Sequence, residues 1–260
     1  MSAYHRIRYE LEGQVATITI ARPDCRNALD NLANIELSRA FDDFAADGNA
    51  RVAIITGEGD KAFCAGNDLK AAARGDVLTQ DKWSGGFGGI TRRHDLFKPV
   101  IAAVNGVALG GGFEIVLACD IVVAADHARF ALPEVRIGKL AGAGGAHRLP
   151  RLLPWQRAMG MLLAGREIDA ATALTYGIVN EVVPASELAG TARNWAAELA
   201  ALSPLALRAA KEAAMRGLDM PLDEAIATSF PSRDVLRASA DFHEGARAFV
   251  EKRKPVWTGC

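Results

Sequence analysis

The chain has 260 residues, half of them apolar and 23% charged, with thirty basic residues against thirty-one acidic ones for a net charge of −1. That length suits one large domain, or one domain with an extra helical piece, and the composition argues against a disordered chain. A net charge so near zero leaves no global field to draw nucleic acid or an anionic membrane surface, so any ligand must be recognised locally.

The N-terminal stretch MSAYHRIRYELEGQVATITIAR enters an alternating strand pattern with no basic-then-apolar leader, and no apolar run approaches the ~18 residues of a membrane span. The expectation is a soluble, cytoplasmic chain without a cleaved signal. VATITIA (15–21) alternates, whereas VAIITG (52–57), VIAAVNG (100–106) and IVVAA (121–125) are near-continuous apolar runs, the pattern of strands buried on both faces. Between the first two, DNLANIELSRAFDDFAAD (30–47) predicts a helix capped by Asp30, with Leu32, Ile35, Leu37, Ala40, Phe41 and Phe44 on one stripe. Twice a strand ends, glycines follow and a helix opens, at AGNDLKAAA and at GGGFEIVLAC. From about residue 155 the strand signals stop. QRAMGMLLAG, DAATALTYG, SELAGTARNWAAELAALSP, PLALRAAKEAAMRGL and PLDEAIATSF read as helices, with Gly165, Gly177 and Gly217 as C-terminal stops, and DFHEGARAFVEKRKPVW as one more. The pattern is α/β followed by a helical region with more apolar residues than so small a core can bury, which implies packing on other copies of the chain.

The four cysteines contain no CxxC pair and the five histidines no HxxxH pair with a nearby acid, so neither a disulfide framework nor a zinc site is suggested. Cys64 and Cys119 read as small buried hydrophobes. GxGxxG after a strand, GxxxxGK[ST] and GxSxG are all absent. Chemistry is instead carried by the glycine junctions. Glycines at a strand-to-helix turn allow close backbone approach and leave the first helical N–H groups unpaired, so AFCAGNDL (62–69) and GVALGGGFEIVLACD (106–120) could aim two donors at one oxygen. A tight turn with close helix packing is the plainer alternative. Glu114 is flanked by Phe113 and Ile115 to Cys119, all apolar, so it is expected to be partly buried with a raised pKa, unless a distant arginine pairs with it. Glu134, after Pro133 and before another glycine cluster, is a second acid that could equally be an ordinary exposed glutamate. Two such acids beside an oxyanion hole would make a site for moving protons next to a carbonyl.

Through RPDCRNALD, AFCAGNDL, KPVIAAVNGVALGGGFEIVLACD, FALPEVRIG, GAGGAHRLPR and FVEKRKPVW, in that order, the chain resembles the enoyl-CoA hydratase/isomerase (crotonase) superfamily over essentially its whole length. Within it, DLKAAA, GGFGGIT, GGGFE and EKRKPVW look most like the carnitinyl-CoA dehydratase (crotonobetainyl-CoA hydratase) group. The resemblance implies a spiral of ββα units over residues 1–195 and a helical oligomerisation region over 196–260, assembling as a homotrimer or a hexamer made of two trimers. It implies an acyl-CoA substrate with Glu114 and Glu134 as catalytic acids, Asn67 and Gly111 as backbone oxyanion donors, and no metal or redox cofactor, coenzyme A arriving with the substrate. Arg26, Ala28, Ala65, Asp68, Leu69, Gly110 and Pro133 would line the substrate path, with Phe249 and Lys252 reaching in from a neighbouring subunit. For Lys252 a solvated tail lysine is the alternative. Asn67 departs from the alanine of ordinary hydratases and the tryptophan of carnitinyl-CoA dehydratases, a difference that concerns pocket shape rather than the backbone donor. KLAGAGG also lacks the proline often found before its glycines.

The runner-up reading is a 3-enoyl to 2-enoyl-CoA isomerase, which needs only one of the two acids. A catalytically silent scaffold or RNA-binding relative is the reading from another class, and the near-neutral charge counts against RNA. Residues 75–97 are expected to cover the acyl pocket, with Trp83, Phe87 and Phe97 either bounding it or packing under the loop.

Overall fold

The protein is described from a computed structural model that covers residues 4–75 and 83–260. β1 (Ile7–Glu12) and β2 (Val15–Ile20) form an antiparallel hairpin, and α1 (Asn31–Ala46) crosses to β3 (Val52–Gly57), which lies parallel to β2. From β3 onward one unit repeats three times: a long strand, a three-residue strand in a second sheet, then a helical turn. The units are β3, β4 (Ala62–Cys64) and α2 (Leu69–Ala73); β5 (Val100–Val104), β6 (Val107–Leu109) and α3 (Gly111–Val116); and β7 (Ile121–Ala125), β8 (Arg129–Ala131) and a 3-10 turn at Glu134–Ile137. There follow α4 (Gly145–Leu152), α5 (Trp155–Ala164), β9 (Ile168–Asp169), α6 (Ala170–Thr175), β10 (Glu181–Val183) and α7 (Leu188–Ala200). Four helices close the chain: α8 (Pro204–Gly217), α9 (Leu222–Ala227), α10 (Pro231–Ala238) and α11 (Ala240–Val250).

The strands build a six-stranded sheet ordered β1-β2-β3-β5-β7-β10 and a four-stranded sheet ordered β4-β6-β8-β9. Alternation along β3 explains why its sequence is apolar throughout. Ala53 and Ile55 face a core with Leu37, Phe41 and Phe44 of α1, while Val52 and Ile54 face Ala192, Ala196 and Ala200 of α7. The small residues four apart on α7 let that helix lie close on the sheet.

Within the elements, Asp30 caps α1 by accepting from Ala33 N at 2.8 Å, and the stripe holds at Leu37, Ala40, Phe41 and Phe44. Leu32 does not belong to it and is 39% exposed. Its place inside is taken by Ala33 and by the buried carboxylate of Glu36, which accepts from His5 N and Arg6 N. Gly165 and Gly177 close their helices with positive φ, but Gly217 is the last residue of α8 in helical conformation and Leu218 caps it. Two short strands, β9 and β10, interrupt the region past residue 155, where none is expected from sequence. α10 is likewise absent from the sequence reading.

The terminal helices are tied by buried carboxylates. Glu212 of α8 accepts from Ser232 N of α10, and Asp241 of α11 accepts from Ser203 Oγ and from the backbone of Thr258 and Gly259. Glu244 holds Arg247, Arg253 and Val256 N. No helix among the described residues is long and apolar enough to cross a membrane.

Helix α3 lies on β4 where glycine leaves no room for a side chain. A Cβ on Gly112 would lie 2.0 Å from Cys64 O, so Gly112→Ala is expected to cost about 3 kcal/mol in urea unfolding. Gly160 sits inside α5 with open space around it, and Gly160→Ala is expected to stabilise by about 0.5–1 kcal/mol in the same measurement.

Candidate active site

Strands β4, β6 and β8 are parallel neighbours, so the segments leaving their C-terminal ends, 65–69, 110–114 and 132–137, open on one place. The first two are in contact. A Cβ on Gly66 would fall 2.7 Å from Leu109 O and 3.2 Å from Gly111 N, and Gly66 itself has φ +89°. Gly110 takes φ 55°, ψ −125°, a conformation that a side chain would strain, and a Cβ there would meet Glu134 Oε1 at 3.0 Å. Gly110 N is bonded to Ala131 O and Asp68 N to Leu29 O. Between those fixed points, among the described residues, the amides of Asn67 and Gly111 donate to no protein acceptor. Sequence reasoning paired these two donors, and the fold brings their segments together.

The 65–69 segment is held from behind. Ala65 N donates to Arg26 O at 3.0 Å and Leu29 N to Gly66 O at 2.8 Å, so Arg26, Ala28, Ala65 and Leu69 lie along one edge. Arg26 and Asn27 both adopt left-handed φ, which turns the chain into this edge. Asp68 caps α2 through Ala71 N and also pairs with Arg22 at 3.0 Å, while Arg22 pairs with Asp30 at 2.9 Å and donates to Ala28 O. Burial alone would raise the Asp68 carboxyl, but the Ala71 amide and the Arg22 guanidinium outweigh it and hold it below its ordinary value. Both Asp68 oxygens are therefore engaged within the protein. Arg22, which sequence reasoning passed over, clamps both helix caps from one position; its only sequence signal is a cation ahead of the first glycine-free turn, RPDCRN.

Glu114 is 3% exposed on the first turn of α3, and its Oε1 accepts from Gly145 N at 2.8 Å. Burial pushes its pKa up from 4.5 to about 7, with the Gly145 amide opposing and the nearby Glu134 charge reinforcing. Glu134 opens the 3-10 turn after Pro133, half-buried, with its pKa raised by burial and its Oε2 without a hydrogen-bond partner. The two acids are thus close enough for the Glu134 charge to act on Glu114. Gly145 was not foreseen. A Cβ on it would press 3.1 Å from Glu114 Cγ, and the glycine cluster 142–145 was its only trace in the sequence.

Of the aromatic residues expected near an acyl pocket, Phe87 reaches the site: its ring occupies the space a Cβ on Gly111 would need. Trp83 is buried in the core and Phe97 lies under the Arg216 guanidinium of α8. Residues 76–82 of the expected cover lie outside the described residues. Phe249, 85% exposed, and Lys252 are not brought to the glutamates within this chain. α11 packs on α10, and the segment beyond it bonds to Ala201 and Arg51.

The Enoyl-CoA hydratase/isomerase family model matches residues 10–260. The chain is 47% identical over 254 residues to the carnitinyl-CoA dehydratase of Salmonella enteritidis PT4, covering 95% of this chain and 96% of that one. It is 46% identical over 260 residues to the carnitinyl-CoA dehydratase of Citrobacter koseri, covering 97% and 98%. The crystal structure of an enoyl-CoA hydratase from Mycobacterium marinum superposes with a TM-score of 0.91 at 38% identity, over 98% of this chain and 99% of that one.

A carboxyl at about 7 in the fold against 4.5 outside it disfavours its own ionisation, so the fold loses stability as pH rises through that window. Glu114→Gln keeps an acceptor for Gly145 N and removes the charge. It is expected to stabilise the protein by roughly 3 kcal/mol at pH 8, by less than about 1 kcal/mol at pH 5 and by almost nothing at pH 4, read from urea unfolding at each.

Proposed function

The chain belongs to the enoyl-CoA hydratase/isomerase family, and from that premise we propose that it adds water to, or removes it from, the acyl chain of a CoA thioester through Glu114 and Glu134. The observation that carries this reading is the placement of two pKa-raised carboxyls beside two unclaimed backbone amides, all at the ends of adjacent parallel strands.

Burial sets the protonation. Two neighbouring carboxyls that both resist ionisation carry one proton between them near neutrality and titrate as a unit. One water held between them has its oxygen attack C3 of a 2-enoyl thioester. Its proton passes to the ionised glutamate, while the neutral glutamate gives its proton to C2. The C2=C3 π pair becomes the new C2–H bond by way of the thioester enolate, and the glutamate pair ends with the single proton it began with. Because both acids approach from one side, addition is syn, and dehydration is the same path reversed. The amides of Asn67 and Gly111 receive the thioester oxygen as enolate charge develops, a contribution of about 3–4 kcal/mol per well-placed donor. An isomerase needs only one acid, and Glu134 Oε2, buried and without a partner, supports use of the second.

The acyl group we infer is that of crotonobetainyl-CoA and carnitinyl-CoA, on the 46–47% identity to carnitinyl-CoA dehydratases. The edge of Arg26, Ala28, Ala65, Asp68 and Leu69, with Gly110 and Pro133 nearer the acyl end, guides the coenzyme A portion. The helices past residue 196 serve assembly into a trimer or a hexamer. Exposed Leu218, Leu222, Ile226, Phe249 and Val250 support this, and such packing would bring Phe249 and Lys252 to a neighbour's site.

Mixing the enzyme with crotonobetainyl-CoA, crotonyl-CoA and longer 2-enoyl-CoAs is expected to remove the absorbance of the conjugated thioester, fastest for the true acyl group. Glu114→Gln or Glu134→Gln is expected to slow turnover by roughly 10²–10⁴-fold with binding retained. Thioester binding with no absorbance loss in the unmodified enzyme would contradict hydration and favour an isomerase.

A further inference from the structure

Arg148 lies on the first turn of α4, three residues past the Gly145 amide that bonds Glu114. Its guanidinium folds back over the turn: a Cβ on Gly144 would fall 2.1 Å from Nη1, and Nη2 donates to Thr91 O at 2.9 Å. A half-buried arginine normally answers a carboxylate, yet among the described residues Arg148 has no carboxylate within 4.0 Å. The anion it does feel is Glu114, and each charge favours the other across the Gly144–Gly145 turn.

Resting on the two-glutamate reading above, we propose that Arg148 is a positioning residue that fixes the Gly144–Gly145 turn against Glu114 and sets the electrostatic field in which the glutamate pair holds its proton. The pair is buried at one end of α3, and a cavity of about 340 Å³ opens near the other end, lined by Leu117, Cys119 and the Arg148 side chain. Arg148 lines that cavity while its guanidinium folds back over Gly144, so its half-buried charge is incompletely screened by water. The other groups around it are few. Glu134 faces Glu114 from the 3-10 turn, and Cys119, three residues past the end of α3, stays a neutral thiol because burial pushes it up. Arg93, Arg151, Lys211 and Asp120 share the cavity wall. Asp120 is taken by Lys211 at 2.6 Å, while Arg93 is taken by Asp42 at 2.8 Å and Arg151 bonds His147 O. Removing the Arg148 charge leaves the Glu114 anion with less compensation, so the pair keeps its shared proton to higher pH.

Two variants separate field from scaffold. Arg148→Gln retains a donor and loses the charge; Arg148→Lys retains the charge and loses the fork over Gly144. For Arg148→Gln the alkaline limb of kcat/KM is expected to move up by about one pH unit, the size of effect one close charge exerts. The protonated-carboxyl infrared band assigned by Glu114→Gln subtraction is expected to titrate with the same shift. For Arg148→Lys both are expected to stay within about 0.3 unit of the unmodified enzyme while the melting temperature falls. The infrared titration needs no turnover, so an enzyme inactive on every thioester would sink the hydratase reading and still report on Arg148. An unmoved band in Arg148→Gln, or an equal shift in Arg148→Lys, would overturn the proposal. Should Arg148→Gln not fold, the Arg148→Lys profile alone decides: a limb displaced by a full unit with charge retained contradicts a field effect.

Discussion

Gly66 and Gly112 let two backbone segments approach so closely that no other residue fits either position: one Cβ would strike Leu109 O and Gly111 N, the other Cys64 O. That contact sets where the Asn67 and Gly111 amides stand relative to each other, and the first turn of α3 starts from it. Glu114 is then carried inside by helical geometry three residues later. Parallel pairing of β6 with β8 puts Glu134 beside it, through a register that matches Leu109 with Ala131. The site is thus assembled by a small sheet of three-residue strands, whose stability comes from the larger sheet and α1 behind it.

The carboxylates illustrate how position decides the state of one chemical group. Asp68, Asp241 and Glu244 are also buried, yet backbone amides, with an arginine at Asp68, two at Glu244 and hydroxyls at Asp241, keep their carboxyls below ordinary values. Glu114 has only backbone amides, chiefly that of Gly145, and among the described residues no contacting cation, so desolvation prevails and its carboxyl rises to about 7. The first three stabilise the fold; Glu114 costs it stability at alkaline pH. A destabilised group kept at the meeting point of three strands is what a proton-moving site requires.

Much of this was legible in the sequence. Continuous apolar runs gave the long strands to within a residue or two, because burial on both faces leaves no polar alternation, and Asp30 marked the start of α1. The triple glycine with Glu114 two residues beyond it pointed to the site. Strands β4, β6, β8, β9 and β10 have two or three residues each, too few to show any period. Leu32 was misread because Glu36, an acid four residues on, turned inward to hold the backbone of His5 and Arg6. Gly145 and Arg22 were missed for a different reason: each acts on a residue distant in sequence, and only the folded chain shows the partner.

The central claim is that Glu114 and Glu134 share one proton and one water at the place where C2 and C3 of the acyl chain lie. Neutron diffraction of a deuterated crystal at pH 6.5, soaked with a saturated acyl-CoA that cannot react, tests it most directly. The account predicts one deuteron on the pair, one water within hydrogen-bond distance of both carboxyls, and the thioester oxygen on the Asn67 and Gly111 amides. Two bare carboxylates, or a thioester oxygen bonded elsewhere, would contradict it.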